Sequence, residues 1–546
     1  MDEAREAPRP PAGGRDDPTD LTRRDFTKLV GVATAGLALG ACRRTTAVGA
    51  DGMPEDGPYA VVLRDGIKVS MRDGVRLATD VYLPARDGVE LPGPWPVILE
   101  RTPYGRSRPS RSERSRAEPE RAKGRDEVAR IFVERGYAVV YQDVRGRYDS
   151  EGEYRKYLDD ADDGYDTCAW ILAQSWCDGR IGTKGLSYAA HTQGALASAG
   201  APGVAAMFVD SGGFSNAYQG GIRQGGTFEL KQATWAYRNA LVSPEITEDP
   251  ERKAAMEAVD IHRWFREMPW RPGHSPVSLA PEYEAYLFEQ WTHGVFDDYW
   301  KQAGIYAIGF HEAWPDAPMV HMSSWFDPYP RTATENYIGL SRLKRGPVRL
   351  ILGPWTHGDR SLTWAGEVDF GPEATLDGQL ATDFWELRVR WFDRWLRGVP
   401  NGVDEEPAVH YFVMGGGSGR KNADGRMDHG GRWKTAEDWP IPGAVDTPCY
   451  LHADGSLSTE SPTEAGASLT YRYDPDDPVP SIGGTITSGA PIMEGGAFDQ
   501  RERDDVFGST EPYRPLAERP DVLVFETGPL SEDLELTCEQ QACGRG

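Results

Sequence analysis

The sequence predicts an α/β protein: a parallel, doubly wound sheet, a block of helices inserted into it, and a β-rich C-terminal part. Three observations carry this. Short apolar runs at 95–100, 137–142, 181–184, 204–210, 319–323 and 348–352 alternate with stretches of helical period, the pattern of strands joined by crossover helices. Between residues 213 and 314 the strand signal stops and Trp-bearing helical segments replace it. Beyond residue 405 the chain changes to short β-prone runs separated by many turns.

Residues 1–42 are set apart from the fold. Arg23-Arg24-Asp25-Phe26 matches the twin-arginine export pattern and precedes a mild apolar run from Leu29 to Ala41, too short to span a bilayer comfortably. The run ends in Leu39-Gly40-Ala41-Cys42, like a lipobox, so Cys42 is expected to be the lipidated first residue of the mature chain. An ordinary signal cut near Ala41, with Cys42 incidental, is the alternative. Export to the cell envelope follows, with a lipid anchor as the sole membrane contact. Residues 43–58 read as a linker.

Residues 59–212 carry the first part of the sheet. Ile67 to Met71 and Val75 to Tyr82 read as a hairpin about Arg72-Asp73-Gly74, and WPVILE at 95–100 as a buried strand. Residues 106–125, rich in Arg and Glu without apolar period, read as a solvated insertion with no function. A helix to about Arg135, the strand YAVVYQ, a helix over 165–174 and the strand at 181–184 follow in turn. Residues 213–315 form the helical cap, with helices expected over 228–241, 250–268 and 281–304. Residues 316–400 complete the sheet. There Phe384, Leu387, Trp391, Phe392 and Trp395 put one apolar face on a helix that Gly398 and Pro400 end. Strands are expected at 409–414, 449–452, 469–473 and 522–526 within a β-domain over 401–546.

The chemistry centres on Gly185-Leu186-Ser187-Tyr188-Ala189, a strand, a sharp turn bearing a serine, and a helix of small residues. It fits the G-x-S-x-G nucleophile elbow of α/β-hydrolases, with Ala189 for the last glycine. A Gly/Ser turn before a surface helix is the rival reading. A serine needs a base, and the base an orienting acid. Asp327 follows the 319–323 strand and His357 the 348–352 strand, in the chain order Ser, Asp, His that such hydrolases use. Taken singly, Asp327 is as well a turn former and His357 a loop residue. His191, one helical turn past Ser187, is a competing base, better suited to packing beneath the elbow. An oxyanion needs two donors, for which the Tyr188 N–H and the Tyr104 hydroxyl are candidates.

The formal net charge of −25 argues against nucleic acid as a partner. The 17 Trp, 23 Tyr and 17 Phe suit a core and apolar clefts. The six cysteines form no C-x-x-C pair and no zinc-spaced cluster with histidine, so neither metal nor cofactor is expected. Cys168, Cys177, Cys449, Cys538 and Cys543 admit no disulfide assignment.

Together, Arg101-Thr102-Pro103-Tyr104, Asp143-Val144-Arg145-Gly146, the elbow, Trp325-Phe326-Asp327, Gly353-Pro354-Trp355-Thr356-His357 and Tyr411-Phe412-Val413-Met414-Gly415 resemble the cocaine esterase / X-Pro dipeptidyl-peptidase (CocE/NonD) family. The resemblance runs from about residue 60 to 536. It implies an α/β-hydrolase domain, a helical cap and a C-terminal jelly roll. It also implies Ser187 as nucleophile, His357 as base, Asp327 as acid, and Tyr104 with the Tyr188 N–H as oxyanion hole. Ala190 stands where the family elbow has glycine, a change expected to be tolerated. The resemblance stops near Leu536, so the jelly roll reads as truncated, with unpaired edges and exposed apolar surface that favour aggregation.

The resemblance implies ester hydrolysis, possible amide hydrolysis, and X-Pro dipeptidyl-peptidase, acylase or amino ester hydrolase activity as alternatives. Pro328, Tyr329 and Pro330 follow Asp327 where amino ester hydrolases carry carboxylates. A buried ammonium would therefore lack a counter-charge, and neutral small-molecule esters or amides are expected, with Trp325, Phe326 and cap aromatics as acyl pocket. A non-catalytic glycan- or partner-binding lipoprotein is the reading from another class. The sequence leaves the oligomeric state open.

Overall fold

The computed structural model describes residues 52–55, 57–463 and 466–537. The twin-arginine stretch, Cys42, Cys538 and Cys543 lie outside the described residues.

Ten strands form one mixed sheet: β1 (Ala60–Ser70), β2 (Arg76–Arg86), β3 (Trp95–Thr102), β4 (Ala138–Asp143), β5 (Cys177–Leu186), β6 (Val204–Asp210), β7 (Met319–Ser324), β8 (Val348–Gly353), β9 (Val409–Met414) and β10 (Gly431–Ala436). Their order is β1-β2-β4-β3-β5-β6-β7-β8-β9-β10, with the two-residue strand Val89–Glu90 beside β2. From β4 to β9 all neighbours run parallel; β1, β2 and β10 close the edges antiparallel. Parallel strands buried on both faces read as near-continuous apolar runs, which is why WPVILE and YAVVYQ were legible.

Successive residues of a strand serve opposite faces. Val97 and Leu99 join the core beneath α2 (Asp160–Leu172), α3 (Tyr188–Ser198) and α9 (Pro330–Leu343). Ile98 joins the other core, against α1 (Arg125–Val133) and α10 (Phe384–Phe392). The apolar stripe predicted on α10 is buried there, and Gly398, at φ 74°, caps the turn that follows it. Between β6 and β7 lie α4 (Lys231–Ala240), α5 (Pro244–Thr247), α6 (Pro250–Glu257), α7 (Ile261–Arg266) and α8 (Pro281–Thr292), sharing an aromatic core with Trp235, Trp270 and Trp300. The single helix expected over 250–268 is two, because Asp260 caps α7 through its side chain.

Two expectations need correction. Val409–Met414 is a strand, but it extends the main sheet: β9 pairs in parallel with β8, and Val409 and Tyr411 point into its core. The main sheet thus continues past residue 400, to Ala436. Beyond it, Tyr450–Leu451 pairs with Leu457–Ser458, while 469–473 and 522–526 form no strand. Leu451, Tyr473, Leu534 and Leu536 are exposed.

The second correction concerns residues 106–125, which are solvated only in part: residues 107–109, 111 and 116–121 are exposed and others are not. Ser112, Glu113, Ser115 and Arg125 are buried. Glu113 receives two hydrogen bonds from Arg388, at 2.7 and 2.6 Å, and one from the Trp385 indole at 2.7 Å. Glu113, which looks solvated in one dimension, is satisfied by buried partners on α10.

Candidate active site

Ser187 sits between β5 and α3 with φ 62° and ψ −122°, a left-handed backbone that a non-glycine residue adopts only when its surroundings impose it. Its N–H donates to Asp210 O at 3.0 Å, and its carbonyl accepts from the Ala190 and His191 amides. The turn is tight enough that its neighbours must be small. A Cβ on Gly185 would lie 2.5 Å from that of Ala189, and one on Gly212 would lie 2.7 Å from that of Ala190. Gly212 therefore makes room for Ala190, the residue that departs from the family pattern.

Asp327 follows β7, and His357 the loop after β8. The loops are stitched together: Trp325 N donates to Gly353 O at 2.9 Å and Phe326 N to Trp355 O at 3.2 Å. His357 Nδ1 lies 2.7 Å from Asp327 Oδ2, while Asp327 Oδ1 accepts from Tyr329 N at 2.9 Å. A carboxylate only accepts, so Nδ1 carries the proton and Nε2 is left as the basic nitrogen. Asp327 is fully buried. Gly358, beside His357, packs on Leu186 so closely that a Cβ would come within 3.0 Å of it, which brings the His357 loop against the elbow.

The Tyr104 hydroxyl lies in the electrostatic neighbourhood of Ser187 and accepts from the Trp235 indole at 3.3 Å. Burial raises its pKa, which keeps it a proton donor. The Tyr188 phenol accepts from Tyr157 N at 2.8 Å, so the side chain points away and only the amide is offered. As first residue of α3, that amide has no partner within the helix. His191 is a packing residue: its Nδ1 accepts from Gly213 N at 3.0 Å and its ring stacks on Phe214 at 3.7 Å. Burial drives its pKa well down.

Ser187, Tyr104, Asp327 and His357 thus gather at the C-terminal edge of the sheet. Trp325 and Phe326 do not join them. The Trp325 indole donates to Phe412 O at 2.8 Å and packs toward Trp439, and Phe326 lies on Phe370 at 5.8 Å. Both serve the packing of β9 instead. The pocket over Ser187 is lined by Lys156, Tyr157, Lys231, Gln232, Trp235, Tyr329, Thr487 and Ser488. Only the cap aromatic Trp235 belongs to a class the sequence flagged. Nothing in the local sequence marks Lys156, Lys231, Thr487 or Ser488.

Arg360, three residues past His357, pairs with Asp210 and donates to Ser112 O at 3.1 Å. Ser361 is held by Asp377 at 3.1 Å. The 106–125 segment therefore braces the histidine loop.

Residues 73–359, just over half of the chain, match the X-Pro dipeptidyl-peptidase (S15 family). The chain belongs to that family. Residues 401–545 of this S15 chain match the X-Pro dipeptidyl-peptidase C-terminal non-catalytic domain. It is 30% identical over 502 residues to the cocaine esterase of Rhodococcus sp. (strain MB1 Bresler), covering 88% of the chain and 77% of that protein. Its fold resembles an aminopeptidase from the marine sediment archaeon Thaumarchaeota archaeon (TM-score 0.56, 21% identity, 91% of this chain and 75% of that one). It also resembles an α-amino acid ester hydrolase (TM-score 0.54, 20% identity, 91% and 76%). This S15 member is a serine hydrolase acting on ester or peptide bonds, on the α/β-hydrolase sheet expected from the sequence.

Proposed function

We propose that the protein is an exported hydrolase of carboxylic esters, with amides as slower substrates, working through an acyl-serine. The observation that carries this reading is the 2.7 Å bond from His357 Nδ1 to Asp327, with a strained Ser187 at a neighbouring strand end. Ser187 Oγ attacks the carbonyl carbon while its proton passes to His357 Nε2. Asp327 stabilises the imidazolium, and Tyr104 Oη and Tyr188 N–H donate to the oxyanion. Collapse expels the alcohol, which takes the proton from Nε2. Water, deprotonated by the same nitrogen, then releases the acid and restores Ser187.

The 30% identity to cocaine esterase favours esters over dipeptides. A second consideration points the same way: the substrate ammonium of a dipeptidyl peptidase would approach Lys156 and Lys231 at close quarters.

A fluorophosphonate probe tests the assignment. The adduct is expected on Ser187 by mass spectrometry, and it is expected to be lost in folded His357→Ala. Labelling elsewhere, or undiminished labelling of that variant, would remove the reading. Tyr104→Phe is expected to lower kcat about 10²- to 10³-fold with little change in KM, since it removes one oxyanion donor. A kcat within threefold of wild type would take Tyr104 out of the hole. We further propose twin-arginine export and lipidation at Cys42, on the pattern of residues 22–42. Cells fed a labelled fatty acid are expected to label the wild type but not Cys42→Ser, and an unlabelled wild type would end the lipoprotein reading.

A further inference from the structure

Asp210 is a buried carboxylate that the acyl-serine chemistry leaves unused. It ends β6, the strand between the one that presents Ser187 and the one that leads to Asp327. Leu186 of β5 and Met322 of β7 are its partners in register. Its carbonyl accepts the Ser187 N–H at 3.0 Å. Its carboxylate reaches a third element: Oδ2 pairs with the guanidinium of Arg360, three residues past His357. Oδ1 accepts from Ser211 Oγ at 3.1 Å. One residue thus touches the elements that carry nucleophile, acid and base.

Arg360 is itself fixed on several sides. Its Nη1 donates to Ser112 O at 3.1 Å, its Cζ lies 3.8 Å from the centre of the Phe384 ring on α10, and its carbonyl accepts from Leu376 N at 2.8 Å. The carboxylates of Glu113 and Asp377 act on this region, but Arg388 takes the first and Ser361 Oγ with Arg116 N the second.

Stability does not account for the pair. Asp210 and Arg360 are each 2% exposed, and burying two charges costs enough that an apolar pair commonly serves a fold as well or better. What apolar side chains lack is direction. A guanidinium on a carboxylate fixes distance and angle. Here that geometry sets the histidine loop against the turn that bears Ser187, where a displacement of about 1 Å can cost roughly 10²-fold in rate.

The carboxylate also acts through space. Burial raises the pKa of Asp210, against the pull of the Arg360 charge and, more weakly, of an imidazolium at His357. A protonated Asp210 would leave in the interior, without its anion, a guanidinium that cannot give up its proton, so the pair stays ionised. Attraction is mutual, and Asp210 therefore favours the imidazolium. The other groups that face His357 are Asp327 at Nδ1, Tyr329 with its ring centre 5.9 Å away, and His191 on α3, which burial keeps uncharged. Asp359, in the same loop, is bonded to Thr356 Oγ1 and faces Arg111 at 3.7 Å.

We infer that Asp210 and Arg360 are positioning residues for acyl transfer: their ion pair seats the His357 loop on the Ser187 turn, and the Asp210 carboxylate supports the positive charge that His357 acquires. This rests on the acyl-serine reading above and adds a second carboxylate to its electrostatics.

The test follows hydrolysis of phenyl acetate by the full chain across the acid limb of its pH profile, for protein shown by near-UV circular dichroism to be folded. Arg360→Met is expected to lower kcat about 10²-fold, and Arg360→Lys, which keeps the charge but not the planar fork, about tenfold, each with KM within about threefold of wild type. A merely structural role would lower the melt and leave kcat of the folded protein intact. Asp210→Asn is expected to move the acid limb of kcat/KM to lower pH by about half a unit, because the imidazolium loses an attraction. Should Arg360→Met fail to fold, Arg360→Lys and Asp210→Asn decide.

Folded Arg360 variants with kcat within threefold of wild type would overturn the inference. So would a loss that falls on KM instead, or an acid limb that stays or rises in Asp210→Asn. In each case fluorophosphonate labelling of wild-type Ser187 keeps the hydrolase reading standing. A folded wild type that neither labels at Ser187 nor hydrolyses the ester would remove that reading, and the inference with it.

Discussion

Ser187→Ala is expected to lower kcat on a phenyl ester by about 10⁶-fold, the loss typical when the nucleophile of a serine hydrolase triad is removed. The reasoning is structural. In the proposed mechanism Oγ forms the acyl intermediate, and Ser187 sits on a strained turn between β5 and α3. The members of a serine hydrolase triad act as a unit, so on the proposed mechanism the losses do not add. Ser187→Ala with His357→Ala is expected to be no slower than Ser187→Ala alone. Asp327→Asn should cost about 10⁴-fold, because an amide facing Nδ1 favours the wrong imidazole tautomer. Turnover by Ser187→Ala above a hundredth of wild type, from protein free of wild-type carry-over, would place the nucleophile elsewhere. Its melt should stay close to that of the wild type, since a half-buried hydroxyl is exchanged for a methyl.

Glu113→Ala is expected to destabilise the fold by about 3–5 kcal/mol, the cost of leaving one member of a buried ion pair without its partner. Arg388, 2% exposed, would keep its charge and lose both carboxylate contacts, and the Trp385 indole would lose its acceptor. Burial opposes ionisation of Glu113, but the charge and hydrogen bonds of Arg388 outweigh it and bring its pKa from an ordinary 4.5 down to about 2. The linkage has a definite sign. A depressed carboxylate adds stability that is in place above pH 4.5 and is lost as pH falls toward 2. Denaturant unfolding of wild type and Glu113→Ala should therefore differ most near pH 7 and converge below pH 4.5. A difference under about 1 kcal/mol at pH 7 would show the pair to be no stronger than a surface bridge. The same variant should loosen the histidine loop, because Arg360 reaches Ser112 O beside it.

The sheet was legible because each strand is local: WPVILE or VRLIL announces itself within six residues by its burial on both faces. Ser187, Asp327 and His357 were legible because each sits directly after such a strand, so a one-dimensional pattern carried three-dimensional meaning. Contacts between distant segments left no such trace. Glu113 meets Arg388 across 275 residues, and an Arg/Glu-rich run reads the same whether it faces water or a buried partner. The buried lysines left no trace for the same reason: nothing around Lys156 tells that Trp235 will cover it. Trp325 and Phe326 misled because proximity to Asp327 in sequence was taken for proximity to Ser187, whereas the turn after β7 sends their side chains toward β9. The sheet that Val409–Met414 joins was not legible, because a strand at the edge of a sheet looks the same whichever sheet it joins.

Thr487 and Ser488 line the pocket over Ser187, Ser488 O accepts from Thr234 Oγ1 at 2.6 Å, and Ile492 packs into the cap core. Synthesis therefore delivers the parts of the site in a telling order. The Tyr104 loop, the serine and the histidine have all emerged from the ribosome while the last wall of the pocket is still unmade. A growing chain can pair its parallel strands and bring Ser187, Asp327 and His357 together, yet it has no finished place to hold a substrate until Ser488 is added and docks on α4. The enzyme's selectivity is thus completed later in its synthesis than its chemistry.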